Sequence, residues 1–153
     1  MWSGEIKPFN SKHFQLPEPI CRPLPLSKPH PPILIGGGGE KKTLRLVAKY
    51  GDACNLFASP ELSRKLEVLK EHCAAVGRPY EEIEKTVMFF PDPGFDTVAG
   101  QLEEFARLGF DQAIVSLPNV NEPGVIETFA ERAVPIAKQL VTVGRDGLEI
   151  PAS

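Results

Sequence analysis

Four short runs rich in β-branched and aromatic residues, Ile33–Ile35, Asp52–Phe57, Ile83–Phe90 and Phe110–Leu117, alternate along the chain with four stretches of helical period. No other feature limits the fold as much. A helix between consecutive strands carries the chain back to the same end of the sheet. The strands therefore pair in parallel, and the crossovers are right-handed. The first helical stretch, Glu40–Tyr50, aligns Leu44, Val47 and Ala48 on one stripe and stops at Gly51. The second aligns Leu62, Leu66, Leu69, Cys73 and Val76, with Ser59 as its expected N-cap, Pro60 at its first position, and Gly77 and Pro79 at its end. The third aligns Val98, Leu102, Phe105 and Leu108, capped by Asp96 or Thr97 and ended by Gly109. The fourth runs from about Pro123 with Ile126, Phe129, Ala130, Ala133, Ala137 and Leu140 on its apolar side, and Pro135 is expected to kink it.

The pattern predicts an α/β fold of four βα units. Two architectures satisfy it: a small doubly wound sheet, or half of a parallel (β/α)8 TIM barrel, which needs about 250 residues when complete. A half-barrel leaves two strand edges unpaired, a liability that natural folds avoid. Residues 33–143 form the predicted domain, with 144–153 as a frayed tail. Residues 1–32 lack a sustained period, and seven of the sixteen prolines fall from Pro17 to Pro32. They are expected to form a mostly extended Pro-rich N-terminal arm leading into a barrel strand, with His13, Phe14 and Leu16 available to pin it to a surface. His13 and His30 lack partners at metal-ligand spacing and are given structural roles.

The junction between the first strand and the first helix is unusual. Ile35 is followed by Gly36, Gly37, Gly38 and Gly39, and then by Glu40, Lys41, Lys42 and Thr43. A strand, a glycine loop and a helix N-terminus together offer unpaired backbone N–H groups and a positive dipole end to an anion. Glycine reaches positive φ freely and has no Cβ to hold a phosphate away from the backbone. Lys41, Lys42 and the Thr43 hydroxyl add charge and a donor. The run lacks the Gly-Lys-Ser/Thr ending of a P-loop and the spacing of Gly-x-Gly-x-x-Gly, so it points to a phosphate without saying which.

Composition excludes several classes. Lys and Arg number 17 against 20 Asp and Glu, a net charge of −3, which disfavours nucleic acid and anionic membranes as partners. No apolar run approaches the ~20 residues of a membrane span, and no basic-then-apolar leader opens the chain, so a cytosolic location is expected. Cys21, Cys54 and Cys73 are odd in number and widely spaced, which suits neither a disulfide framework nor a metal pair, and no metal site is expected. No nucleophile–base pair or carboxylate dyad is recognisable, so catalytic residues are not assigned.

The run from Pro31 to Phe57, with Gly36–Gly39, Glu40, Tyr50-Gly51-Asp52-Ala53 and Asn55, resembles the luciferase-like monooxygenase family, in particular its members that use the deazaflavin coenzyme F-420. Phe14-Gln15-Leu16 and Arg22-Pro23-Leu24-Pro25 resemble that family's lead-in, and Gly109–Val115 its glycine-led last strand. The resemblance implies a TIM barrel of which this chain is the C-terminal half. It implies coenzyme F-420, or alternatively FMN, bound at the C-terminal ends of the strands, with a small-molecule substrate. It places the cofactor phosphate on Gly36, Gly37, Gly38, Gly39 and the N–H groups of Glu40, Lys41, Lys42 and Thr43. Asn55 and Phe57 then face the ring or substrate pocket, and Asp52 stands at a common acidic position of the family. The absent barrel half predicts weak cofactor binding by this chain alone. It also predicts a requirement for a second copy or a complementing N-terminal half; the remaining alternative is an independent small phosphate-binding domain.

Overall fold

The computed structural model describes residues 2–140, together with the backbone pairing of 142–143 and 149–150. The chain divides into two compact units, Met1–Pro32 and Ile33–Ser153. The first holds a minimal antiparallel hairpin, β1 (Phe9–Asn10) with β2 (Gln15–Leu16), closed by Ser11, whose N–H and hydroxyl both donate to the Phe14 carbonyl. Phe14 is exposed. The Trp2 ring stacks on His30, with centroids 5.5 Å apart, so His30 serves packing within this unit.

The second unit runs β3 (Leu34–Gly36), α1 (Thr43–Tyr50), β4 (Ala53–Phe57), α2 (Leu62–Val76), a 3-10 turn at Tyr80–Glu82, β5 (Glu84–Phe89), α3 (Val98–Arg107), β6 (Gln112–Val115) and α4 (Val125–Ala137). The four strands pair in parallel in the order β3-β4-β5-β6, which is also their order in the chain. A right-handed crossover that always steps to the next strand in the same direction puts every helix on one face. A doubly wound sheet would reverse its strand order instead. The sheet therefore has the layout of consecutive barrel units and is consistent with half of a (β/α)8 barrel. The core lies between the sheet and the helices: Cys54 and Leu56 of β4, Val87 and Phe89 of β5, Leu44 and Val47 of α1, Leu66 and Leu69 of α2, and Val98 and Phe105 of α3.

A repeated latch fixes the N-terminal ends of the strands. The Asp52 carboxylate accepts the Ile33 N–H at 2.7 Å while the Asp52 N–H donates to the Ile33 carbonyl at 2.8 Å. Asp111 does the same with Lys85, at 2.8 Å in both directions. Lys85 lies buried beside that second latch, donating to the Ile83 carbonyl, 3.5 Å from the Asp111 carboxylate and over the Tyr80 ring. Asp52 thus stands at the end of the sheet opposite the glycine loop. Its role there is structural, and it is not a pocket residue.

Several local expectations give way to tertiary contacts. The first helix begins at Thr43, not Glu40, because the Leu44 N–H reaches back five residues to the Gly39 carbonyl and leaves 40–42 as a turn. Ser59 does not cap α2: the helix starts at Leu62, and the buried Ser59 Oγ has no hydrogen-bond partner. Neither Asp96 nor Thr97 caps α3. Asp92 instead fixes the turn that leads into the helix, its carboxylate accepting the N–H groups of Asp96 and Thr97 and the Thr97 hydroxyl. In α4 the inward stripe is Val125, Phe129, Ala133 and Ile136, whereas Ile126 is exposed. Pro135 lies two residues before the end of α4. Of the expected frayed tail, 149–150 pair with 142–143, and residues 144–148 and 151–153 lie outside the described residues.

Candidate functional site

Because the strands are parallel, their C-terminal ends share one edge. The connections after β3, β4, β5 and β6 line it. In sheets of this kind that edge carries the ligand sites.

The end of β3, the loop after it and the start of α1 hold Gly36 to Thr43, all the residues assigned to the cofactor phosphate from sequence, whereas Asn55 and Phe57 lie in β4. Gly37 adopts φ +117°, a conformation closed to side chains with a Cβ, and its N–H donates 3.0 Å to the Asn55 carbonyl. That bond ties the loop to the neighbouring strand, where Gly36 already pairs with Asn55. Beyond it, the N–H groups of Gly38, Gly39, Glu40, Lys41, Lys42 and Thr43 have no acceptor among the described residues. Six consecutive N–H groups without an acceptor at the start of a helix are the kind of donor set that suits an anion. Lys41 and Lys42 are exposed beside it. Thr43 holds its hydroxyl oxygen so close that a Cβ on Gly39 would come within 2.9 Å of it, whereas a Cβ on Gly36 would meet nothing within 4 Å.

The charge of Glu40, within the loop itself, opposes an anion, and the fold disposes of it. Its carboxylate is drawn to Arg64 of α2 at 3.0 Å, and its carbonyl is met by His72 Nε2 at 2.8 Å. These two residues, neither of them apparent from the local sequence, fix the turn at the start of α1. A third α2 residue reaches the loop directly. The methylenes of Lys65 pass Gly38 so closely that a Cβ there would stand 3.2 Å from them and 3.6 Å from Nζ. A sequence signal for Lys65 exists in its i,i+4 spacing from Glu61, with which it pairs at 2.8 Å. Its approach to the glycines is visible only in the fold.

Asn55 joins the loop through its backbone rather than its amide. Its side-chain oxygen accepts from Thr86 Oγ1 at 3.0 Å, and the same hydroxyl lies 2.9 Å from the Cys54 carbonyl, so β4 and β5 are cross-linked next to the glycines. Phe57, at the end of β4, is 56% exposed and available to a ligand. Cys54 points into the helix-facing core. Burial, the largest influence, pushes its thiol up to about 11, which makes it inert near neutrality.

At the other end of the same edge, the connections after β5 and β6 enclose a recess of about 250 Å³ bordered by Pro93, Phe95, Pro118, Asn119, Pro123 and Thr128. Phe95 and Asn119, one from each connection, both hold positive φ, 59° and 53°. Such backbone strain persists only where surrounding structure enforces it. For Phe95 the enforcing contacts are its N–H bond to the Asp92 carbonyl and its ring packed edge-on against Phe129. Two to three inter-strand spacings separate the recess from the glycine loop, about 10–14 Å along the edge.

The donor set of the loop fits a phosphate: free amides, a hydroxyl, flanking ammonium groups and a diverted carboxylate. Among the described residues no cluster of three or more His, Cys, Asp or Glu could hold a metal ion, and no helix is long and apolar enough to cross a membrane. The family model described as luciferase-like monooxygenase matches residues 1–94, a span that includes the glycine loop, β4, α2 and β5. The Gly109–Val115 strand lies beyond it. No curated protein matches the chain.

Proposed function

The chain belongs to the luciferase-like monooxygenase family, and on that premise we propose that it is the carboxyl-terminal part of an oxidoreductase dependent on coenzyme F-420, whose phosphate rests on the glycine loop. Proteins of this family commonly bind flavin or deazaflavin cofactors. FMN is the alternative here, because both cofactors present a phosphate and the loop recognises that group alone. When bound, the cofactor ring supplies the redox chemistry, accepting or delivering a hydride.

The observation that carries this reading is the row of acceptor-free N–H groups from Gly38 to Thr43 at a strand end. The residues of this chain then divide the work. Amides of the loop and the Thr43 hydroxyl hold the anion, with Lys41 and Lys42 adding positive charge. Asn55 and Thr86 keep the loop in register with the sheet. Arg64 and His72 hold Glu40 aside. Phe57 offers apolar surface, and the recess past Phe95 and Asn119 a mixed polar and apolar one, to the ring or to a small-molecule substrate. None of these groups forms a nucleophile–base pair, so their contribution is binding and orientation.

Incomplete closure supports the second half of the reading. β3 and β6 are the edges of the sheet, and four strands are half of the eight that close a barrel. A second copy, or a complementary amino-terminal half, supplies the missing strands in this account, and the cytosol is the expected compartment. Sedimentation equilibrium of the purified chain tests this: a dimer is expected, and a cooperatively folding monomer would favour an independent phosphate-binding domain.

The cofactor reading is tested by titrating the chain with coenzyme F-420 and with FMN while following ring fluorescence. Weak binding is expected, reversed by inorganic phosphate and abolished by Gly37→Val. Binding indifferent to both, or no binding at all, would overturn it.

A further inference from the structure

Lys65 has an environment unlike that of an ordinary surface lysine. It lies on α2, yet its side chain is only 16% exposed, while its partner Glu61 is 63% exposed. Its stem is laid across Gly38. The glycine at that position is not demanded by the backbone, since Gly38 does not hold positive φ. It leaves room for Lys65, whose Cδ and Cε would stand 3.2 Å from a Cβ and would have to give way to one. The lysine stem therefore lies in the space that a side chain at position 38 would take. Arg64, the adjacent cation, is already engaged with Glu40 at 3.0 Å, which leaves Lys65 as the α2 charge facing the glycines.

Resting on the reading of the loop as an anion site, we infer that Lys65 is an anion-binding residue of that site, held in reserve by Glu61 and released to pair with the phosphate when the loop is filled. An ammonium carries three donors, and Lys65 commits only one of them, to Glu61 at 2.8 Å. The four-carbon stem lets the head move a few ångströms while its methylenes stay against Gly38. The hydrogen bond and charge of Lys65 hold the Glu61 carboxyl below its usual range. A phosphate on the loop offers Lys65 a more highly charged partner, and the exposed Glu61 carboxylate is left to water at little cost. The exchange makes Glu61 a competitor of the ligand.

The test uses the chain itself, inorganic phosphate as the probe, and the backbone amide shifts of Gly38 to Thr43 as the readout. Lys65→Met is expected to weaken phosphate binding about tenfold, the loss of one charge-assisted hydrogen bond. Glu61→Gln should tighten it several-fold, because the competitor is gone. In the Lys65→Met background Glu61→Gln should have no effect, a coupling that a purely structural pair would not produce. Gly37→Val separates this inference from its premise. If Lys65→Met binds like the wild type while Gly37→Val has lost binding, the loop stands and the inference about Lys65 falls. If Gly37→Val binds normally and Lys65→Met does not, Lys65 stands and the loop falls. No phosphate-dependent shift in the wild type overturns both. A Glu61→Gln variant indistinguishable from wild type overturns the exchange.

Discussion

The four consecutive glycines make different demands, and replacing each in turn measures whether the loop is a built cradle or slack chain. Gly37 holds φ +117°, and a β-branched residue forced there costs about 1–3 kcal/mol. With a urea dependence of about 1–3 kcal/mol/M for a domain of this size, Gly37→Val should lower the unfolding midpoint by about 1 M. Gly39→Ala brings a Cβ within 2.9 Å of Thr43 Oγ1. Thr43 must then leave its rotamer, at about 1 kcal/mol. Gly38→Ala meets only the far part of the Lys65 side chain, which can swing away, so its stability cost should be small even though it displaces the lysine. Gly36→Ala meets nothing within 4 Å and should stay within about 0.5 kcal/mol of wild type. Urea unfolding followed by far-UV circular dichroism reads all four. The predicted order of cost is Gly37→Val, then Gly39→Ala, then Gly38→Ala and Gly36→Ala. Four equal midpoints would show that the loop has no fixed conformation, and the argument for a preformed anion cradle would fail.

Three further outcomes follow from other parts of the fold. Asp52→Ala and Asp111→Ala each strip a charged acceptor from a backbone N–H of the neighbouring strand, and each should cost about 1.5–3 kcal/mol in chemical denaturation; an unchanged midpoint for both would remove the latch. In the native protein Cys21 should react with a thiol reagent well before Cys54 and Cys73, both buried, and all three should react once the chain is unfolded; rapid native modification of Cys54 would contradict its packing. The Asp92 carboxyl, held down to about 2 chiefly by its hydrogen bonds with Thr97, titrates below its unfolded-state value. Its contribution to stability is therefore complete above about pH 4 and disappears as the pH falls toward 2. The difference in melting temperature between wild type and Asp92→Ala should shrink over that interval, and a difference constant down to pH 2 would exclude the carboxylate as the anchor of α3.

The sequence made the helices and strands legible because hydrophobic period is a local property set by which face is buried. Leu62, Leu66, Leu69 and Cys73 show this well, every one of them buried in α2. The ends of the elements were less legible, since a cap is chosen by geometry. Ser59-Pro60 has the composition of a helix start, but its hydroxyl finds no partner, while Asp92 reaches across the Pro93-Gly94 turn to fix the lead-in to α3, which Asp96 or Thr97 was expected to cap. The exposed Ile126 shows the same limit in α4, where several apolar residues compete for a single inward stripe. Around the candidate site, the strand-to-helix junction that carries the glycines and Thr43 was legible from their conformational freedom and position. The fates of Glu40, Asp52 and Asn55 were not, because each depends on a residue distant in sequence: Arg64 and His72, Ile33, and Thr86. Lys65 belongs to the same group, its approach to Gly38 set by the packing of α1 on α2.

The central claim is that an anionic cofactor tail rests on the bare amides of one loop. A crystal structure of the chain grown with coenzyme F-420 or FMN tests it most directly. The account predicts phosphate oxygens within hydrogen-bonding distance of the N–H groups between Gly38 and Thr43, with Glu40 still turned to Arg64. A phosphate bound elsewhere, with those amides facing only water, would contradict it.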